Sequence, residues 1–146
     1  MREYKVVGDN DTVIVGDYGS AITGVGGRAL AGDEGSAMAD VGGSAMAGDR
    51  GSAMAGAGGH ATAGEYGTAV AGYEGHAVAG VEGDAKAGEY GTAAAGDGGT
   101  IMLSFWDGSR RRLAVGYIGE NGLQAGVPYR LNGDGKFIEA EEDGDE

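Results

Sequence analysis

Twelve consecutive octapeptides, residues 8–103, repeat one pattern and decide most of what this chain can fold into. Each reads glycine, two variable residues, glycine, a polar residue, alanine, a variable residue and alanine. Glycine opens every octad except the one beginning at Asp40, and it holds the fourth place in every octad except at Asp11. A short period of this kind is typical of repeat architectures, in which each unit buries its apolar face only by stacking on its neighbours.

The second half of each octad has the two-residue period of a β-strand, because polar or bulky side chains alternate with alanine. Charged residues occupy the variable places, as at Arg28, Asp84 and Lys86, whereas no alanine place carries a charge. The alanines are therefore predicted to point inward. Glycine at the first and fourth places predicts either positive backbone φ angles or close chain approach at the corners, so each octad is one strand plus one turn.

Successive octads alternate in kind, so that like matches like sixteen residues on. The turns at 24–27 and 40–43 share a Val-Gly-Gly ending, and those at 32–35 and 48–51 both begin with an acid at their second place. We predict an all-β fold: a parallel β-helix, or β-solenoid, of about six 16-residue two-strand coils with a small C-terminal β cap. A three-sided coil of about 24 residues is the alternative. At ~4.8 Å per coil, such a rod is about 29 Å long.

The residues outside the repeat are expected to close the two ends of the rod, which would otherwise expose strand edges. Residues 1–7 are predicted to form an N-terminal cap strand. Turn signals separate short apolar runs after the repeat, which predicts a C-terminal β cap over 104–138, with Phe105 and Trp106 packed on the last coil. Residues 139–146 are predicted to form an acidic tail.

Composition limits where the chain works and what it binds. No run approaches the roughly 18 apolar residues of a membrane helix, the first residues lack an apolar signal core, and cysteine is absent. These features predict a soluble, cytoplasmic protein without membrane contact. The net charge of −13 disfavours direct binding to nucleic acid and favours a protein partner with a basic surface. The alternative is that the acidic residues serve only to keep a glycine-rich repeat soluble.

The acids of the repeat form a candidate binding edge. Residues 8–103 hold 13 acids and three bases, a net charge of −10. Duplex DNA about 29 Å long carries ~17 charges at one per about 1.7 Å, so the rod reaches roughly 0.6 of that charge and is predicted to imitate a duplex. The residues assigned to this acidic edge are Asp17, Asp33, Glu34, Asp49, Glu65 and Asp97.

Apolar residues at the seventh octad place form a second candidate surface. With a 16-residue coil, Ile22, Met38, Met54 and Val70 lie in one row on one face, which Lys86 interrupts. Methionines exposed in a row suit an adaptable protein contact. The alternatives are that this apolar row lies beneath the C-terminal cap or forms a seam between two copies of the chain in a homo-oligomer.

A basic and aromatic cluster follows the repeat and consists of Phe105, Trp106, Arg110, Arg111 and Arg112. On an acidic protein such a cluster can bind the acidic tail, a phosphate-bearing ligand or the acids of a partner. Neutralisation by the protein's own carboxylates is the simplest interpretation.

Candidate catalytic and metal-binding residues are few. His60 and His76 hold the same octad place sixteen residues apart and would stack about 5 Å apart on adjacent strands, but no third metal ligand accompanies them. Carboxylates are too numerous for any pair to identify a glycosidase, and the sequence has no nucleophile elbow or phosphate loop. We therefore expect no catalytic residues, no metal and no cofactor.

The octad at 32–39, Gly-Asp-Glu-Gly-Ser-Ala-Met-Ala, and the segment at 122–131, Gly-Leu-Gln-Ala-Gly-Val-Pro-Tyr-Arg-Leu, are similar to uncharacterised octapeptide-repeat proteins of bacteriophages and prophages. The resemblance spans nearly the whole chain and implies a solenoid with a C-terminal cap. It implies no catalytic residues. In outline the chain also resembles acidic pentapeptide-repeat β-helices that imitate DNA.

Together these features predict a non-enzymatic protein that acts in the cytoplasm of an infected bacterial host. It is expected to bind and inhibit a host protein that handles nucleic acid or serves in defence, through the acidic edge and the apolar row. The alternative is a structural or assembly component of a phage particle that acts through protein contacts. Salt separates the two functions, because an electrostatic contact weakens as ionic strength rises.

Overall fold

The computed structural model describes residues 4–132 and 135–140, which form sixteen β-strands. No helix in this part of the chain is long and apolar enough to cross a membrane. Residues 1–3 of the predicted N-terminal cap, 133 and 134 of the predicted C-terminal cap, and 141–146 of the predicted tail lie outside the described residues. The strands, in chain order, are β1 (Tyr4–Val6), β2 (Thr12–Ile14), β3 (Ser20–Ile22), β4 (Arg28–Leu30), β5 (Ser36–Met38), β6 (Ser44–Met46), β7 (Ser52–Met54), β8 (His60–Thr62), β9 (Thr68–Val70), β10 (His76–Val78), β11 (Asp84–Ala87), β12 (Thr92–Ala94), β13 (Thr100–Trp106), β14 (Arg111–Tyr117), β15 (Tyr129–Leu131) and β16 (Phe137–Glu139).

Successive strands of the repeat alternate between two sheets. The first sheet has the order β1-β3-β5-β7-β9-β11-β13-β14, and the second has the order β16-β15-β12-β10-β8-β6-β4-β2. Neighbours within the repeat are parallel and pair residues sixteen apart, as Ala37 pairs with Ala53. The predicted two-strand, 16-residue coil is therefore confirmed, and the three-sided alternative is wrong.

The two sheets meet across a thin layer of alanine, as the alternation predicts. The middle residue of each repeat strand is buried, and Ala37, Ala53 and Ala69 are each 0% exposed. Bulkier residues fill the same inward places only near the ends of the rod, at Val13 and Ile101. The flanking residues of the repeat strands β2 to β10 face solvent or lie partly exposed, whereas Ala94 of β12 is buried. The predicted inside and outside of the octad are confirmed.

The corners show which of the two roles the glycines play. A Cβ at Gly51 would lie 2.8 Å from the carbonyl oxygen of Gly35 in the preceding coil, so the fourth place needs glycine for close approach. The positive φ angles fall at the third place instead, where even Glu34 (φ 58°) and Arg50 (φ 59°) adopt them. Close stacking of identical corners therefore requires glycine at the fourth place. The third place has a left-handed backbone but accepts residues with large side chains.

The N-terminal end continues the ladder of the repeat. β1 pairs in parallel with β3, with Lys5 opposite Ala21, so the expected cap strand occupies one more strand position of the coil. Its three residues are exposed, as is Ile14 on the end strand of the other sheet. Lys5 thus holds the register place that buried alanine holds elsewhere in the first sheet.

The C-terminal end is covered by antiparallel strands on both sheets. β14 pairs along the whole length of β13, while β15 pairs with β12 and with β16. Ile118, Leu123 and Tyr129 are buried against the last coil and close it. Trp106, which we expected to pack on that coil, is instead 61% exposed, because β13 runs past the end of the repeat. Glu139, expected to begin the acidic tail, ends β16.

Candidate protein-binding edge

The structure gathers all six predicted acids on one edge of the rod. They occupy the turns that lead from a strand of the second sheet to the next strand of the first, and every one is exposed. The edge also holds Glu82, which the sequence analysis did not assign to it, and one base, Arg50, whose guanidinium carbon lies 5.4 Å from the ring centre of Tyr66. The six are Asp17, Asp33, Glu34, Asp49, Glu65 and Asp97.

Three of these acids form a hydrogen-bonded ladder along the edge. The Oδ1 atom of Asp17 accepts the backbone N–H of Asp33 at 2.9 Å. Asp33 accepts the N–H of Asp49 at 3.0 Å, and Asp49 accepts that of Glu65 at 3.0 Å. Each carboxylate is thus fixed to the next coil. This hydrogen bonding to the next coil was not predicted, although the recurrence of aspartate every sixteen residues at the second place of the turn indicates it.

The first octad place needs glycine because a Cβ there would meet the backbone of the preceding coil, as at Gly56, where it would lie 2.9 Å from the backbone nitrogen of Val41. The carboxylate ladder adds a second contact at some turns. A Cβ on Gly48 would lie 2.3 Å from Asp33 Oδ1, so the side chain of the preceding turn fills the space above this position. Asp40 replaces this glycine in one octad, and the preceding turn there carries Val25 at its second place. Its own Oδ1 accepts the N–H of Val41 at 2.8 Å. Asp40, the only residue other than glycine at the first octad place of the repeat, therefore supplies a carboxylate to the backbone N–H of the second turn place.

The predicted apolar row exists, but it does not flank the acidic edge. Register pairs Ile22 with Met38, Met38 with Met54, and Met54 with Val70. Met38 and Met54 are 41% and 44% exposed, so the C-terminal cap does not cover them. Strands of the first sheet leave the acidic edge and end at this row, which places it near the opposite edge.

A different apolar row lies beside the acidic edge. It belongs to the second sheet, whose strands end where the acidic turns begin, as Leu30 precedes Asp33. Ile14, Met46 and Val78 of this row are exposed. The row beside the acidic edge is therefore the second-sheet row, and the predicted first-sheet row lies near the other edge.

The two histidines stack as the 16-residue spacing predicts. The imidazole ring centres of His60 and His76 lie 4.8 Å apart, and Nδ1 of His76 contacts the hydroxyl of Thr92. Burial lowers the pKa of His76, and the neighbouring His60 lowers it further by charge repulsion. Among residues 4–132 and 135–140 no group of three or more His, Cys, Asp or Glu side chains could hold a metal ion.

The basic and aromatic cluster lies on the hairpin of β13 and β14, where Phe105 pairs with Arg112 and Trp106 with Arg111. Two of its arginines contact carboxylates of the same chain: Arg112 contacts Asp107, and Arg111 Nε lies 3.3 Å from Glu89 Oε2. The hydrogen bond from Arg112, helped by the backbone N–H groups of the hairpin turn, holds the pKa of Asp107 well below its usual range.

Arg110 completes the basic cluster, and its side chain makes no ion pair with any residue that the structure describes. Two of the three positive charges are therefore offset locally. This arrangement agrees with self-neutralisation as the simplest interpretation of the arginine run. The predicted alternative, binding to the acidic tail, involves residues outside the described part of the chain.

Comparison with known proteins finds only partial similarities. No family model matches the chain, and no solved structure matches it significantly. It is 50% identical over 42 residues to the uncharacterised protein YdhT of Escherichia coli strain K12, which is 29% of this chain and 16% of that protein. It is 36% identical over 47 residues to an ice nucleation protein of Pseudomonas syringae, which is 32% of this chain and 4% of that protein. These similarities do not show a phage origin.

Proposed function

We propose that the chain is a non-enzymatic binding protein whose acidic edge docks on the basic groove of a protein that handles nucleic acid. The observation that carries this proposal is the alignment of six exposed acids on one edge of a regular rod. Their carboxylates recur with the coil spacing of about 4.8 Å. Phosphates along one DNA strand recur about every 3.4 Å, so a groove shaped for a duplex finds a comparable row of charges here.

The ladder hydrogen bonds make this row of charges suitable for binding. A carboxylate fixed to the next coil loses little conformational freedom when a partner contacts it, so less of the interaction energy is spent on ordering it. The exposed second-sheet row, which includes Met46 and Val78, adds apolar contacts beside the charges. Inhibition of a bacterial host protein in the cytoplasm, by occupying its nucleic-acid groove, is the biological role we assign to this contact.

The test compares two variants that lose the same charge from opposite edges. The first replaces Asp33 and Asp49 with Asn and Glu65 with Gln on the acidic edge. Asn keeps an acceptor oxygen for the ladder, so the fold is expected to persist. The matched control makes the same changes on the other edge, where two aspartates also accept backbone N–H groups. It consists of Asp9→Asn, Asp40→Asn and Glu74→Gln.

Proteins from bacterial lysate are captured on the wild-type chain and on both variants, then eluted with rising salt and identified. Each captured protein is tested for displacement by duplex DNA. The proposal requires a DNA-binding protein that the wild type and the control retain, that the acidic-edge variant loses, and that salt and DNA both release. Equal capture by the two variants would show that net charge, and not this edge, attracts the partner.

The alternative role, a structural or assembly component of a phage particle, predicts contacts through the apolar rows. Such contacts persist at high salt, and substitution of Met38 and Met54 with Ser would abolish them while leaving capture through the acidic edge unchanged.

We infer a second candidate function, contact with ice, from the similarity to an ice nucleation protein. The observation that favours it is a row of hydroxyls on the first sheet, parallel to the apolar row, in which Ser20, Ser36 and Ser52 pair in register. Droplet-freezing and ice-recrystallisation assays test it. Ser36→Lys with Ser52→Lys should abolish any effect on ice, whereas equal activity of this variant would exclude the first-sheet face.

A further inference from the structure

A cavity of about 250 Å³ lies at the C-terminal end of the rod, away from the acidic edge. It opens between the last turn of the opposite edge, the end of β13, and Leu131 and Asn132 at the end of β15. Three aromatic side chains line it, those of Tyr90, Phe105 and Trp106, together with Glu89. The cavity is slightly smaller than the pockets of about 300 Å³ and more that hold drug-sized ligands, which suits a small molecule or the head group of a larger one.

The aromatic side chains at this cavity are unusually exposed. Tyr90 is 76% and Trp106 61% exposed. A second tyrosine holds Tyr90 in place, because the ring of Tyr73 contacts it edge to face with 5.5 Å between ring centres. Large aromatic surfaces that face solvent beside a cavity mark a binding site more often than a packing defect.

The charge around the cavity selects the kind of ligand. Glu89 contributes a carboxylate, whose Oε2 lies 3.3 Å from Arg111 Nε, so part of its charge is offset. The chain as a whole carries a net charge of −13, which favours cations over anions. Arg111, which contacts Glu89, lines a neighbouring cavity together with Arg110 and Arg112. Among the residues that the structure describes, the aromatic cavity is therefore lined by one acid and no base.

We propose that this cavity binds an organic cation of the quaternary ammonium class. The faces of tyrosine and tryptophan carry negative potential and attract cations, most strongly those with weak hydration such as a trimethylammonium group. Glu89 places a carboxylate at the wall of the cavity, but its Oε2 also contacts Arg111, so the aromatic faces supply most of the attraction. A primary ammonium keeps a stronger hydration shell and therefore fits this lining less well. An anion such as phosphate would be repelled by the Glu89 carboxylate.

Trp106 is the only tryptophan of the chain and reports binding directly. Its fluorescence is followed during titration of the full chain with choline and, separately, with 3,3-dimethyl-1-butanol, which has the same shape without the charge. Saturable change with choline and roughly tenfold weaker binding of the neutral compound are expected. Equal binding of the two compounds would overturn the proposal in favour of a merely apolar cleft, and no change with choline would overturn it outright.

Two substitutions locate the site. Tyr90→Asn removes one ring, and Asn tolerates the positive φ of 64° at this turn place, as Asn10 does at 61°. Tyr66→Asn is the matched control, because Tyr66 has a φ of 59° and lies on the acidic edge. Tyr90→Asn and Glu89→Gln should each weaken choline binding roughly tenfold, and Tyr66→Asn should leave it unchanged. Loss of binding in the control alone, or in none of the three, contradicts the site.

Discussion

Replacement of Ala53 with Leu tests whether the alanine layer at the centre of the rod sets its stability. Ala53 is 0% exposed and pairs in register with Ala37 and Ala69, which are equally buried. Leucine adds roughly three carbon atoms at a place where the facing sheet also presents only alanine. Ile101 occupies the equivalent place at the C-terminal end of the rod, where one of its two paired residues is Gly116. Neither residue paired with Ala53 is glycine.

The expected cost follows from overpacking. Additional carbon atoms in a well-packed interior force side chains off their preferred rotamers or move the backbone, which costs about 1–3 kcal/mol. For a chain of this size each kcal/mol lowers the melting temperature by roughly 2–4 °C, so a fall of about 2–12 °C is expected. Urea unfolding followed by circular dichroism measures the change in the free energy of unfolding.

The control is Ser52→Leu on the same strand. Ser52 faces outward and is exposed, so leucine there changes composition and β-propensity without entering the alanine layer. We expect a change within about 0.5 kcal/mol, as for most surface substitutions. If Ala53→Leu and Ser52→Leu proved equally stable, the alanine layer would have room to spare, and close packing would not limit the repeat.

The carboxylate ladder, the corner glycines and the histidine stack each give a further expected outcome. Asp33→Ala should lower the free energy of unfolding by about 0.5–1.5 kcal/mol and Asp33→Asn by much less, since only Ala removes the acceptor; equal losses in urea unfolding would dismiss the ladder. Gly51→Ala should destabilise more than Gly42→Ala in the same assay, because a Cβ at Gly51 meets the preceding coil at 2.8 Å while Gly42 has nothing within 4 Å. The depressed pKa of His76 makes its protonation unfavourable in the folded state, so its contribution to stability is present above the unfolded pKa near 6.5 and is lost as pH falls. His60→Ser should raise the pKa of His76 in an NMR titration, and an unchanged titration would exclude coupling of the two rings.

The architecture was predictable from the sequence because local signals agree over many copies of one unit. Alternation of alanine with charged residues indicated which side chains point inward. The match of like octads sixteen residues apart, with unlike octads between them, indicated the two-strand coil. Parallel in-register stacking then follows for every pair, so one correct inference at Ala37 and Ala53 extends to the whole repeat. The same reasoning placed the six acids on one edge.

Features that depend on atomic approach were not predictable in this way. The octad showed that glycine was needed at its first place, but only the structure shows the Asp33 carboxylate that excludes a Cβ at Gly48. Strand direction decides that Leu30 and Met46, and not Met38, flank the acidic edge. Beyond the repeat each contact is unique, so no periodicity could indicate which residues close the C-terminal end.

The N-terminal end of the rod leaves two strand edges open among the described residues. β1 and β2 are the end strands of their sheets among the described residues, and their outer sides are not paired in either sheet. A stack of alanine coils could accept another parallel strand there. Lys5 holds the place of the buried alanine on β1, and its charge would have to enter the alanine layer if another coil were added.

Lys5→Ala should therefore promote end-to-end association, because it restores the alanine pattern of the repeat at an open strand edge. Light scattering and size-exclusion chromatography as a function of concentration measure the association. Lys86→Ala removes the same charge from the face of the rod and should leave the chain in its original state of association. If both variants behaved alike, loss of charge repulsion would account for the association. If neither associated, Lys5 would not be what keeps this strand edge unpaired.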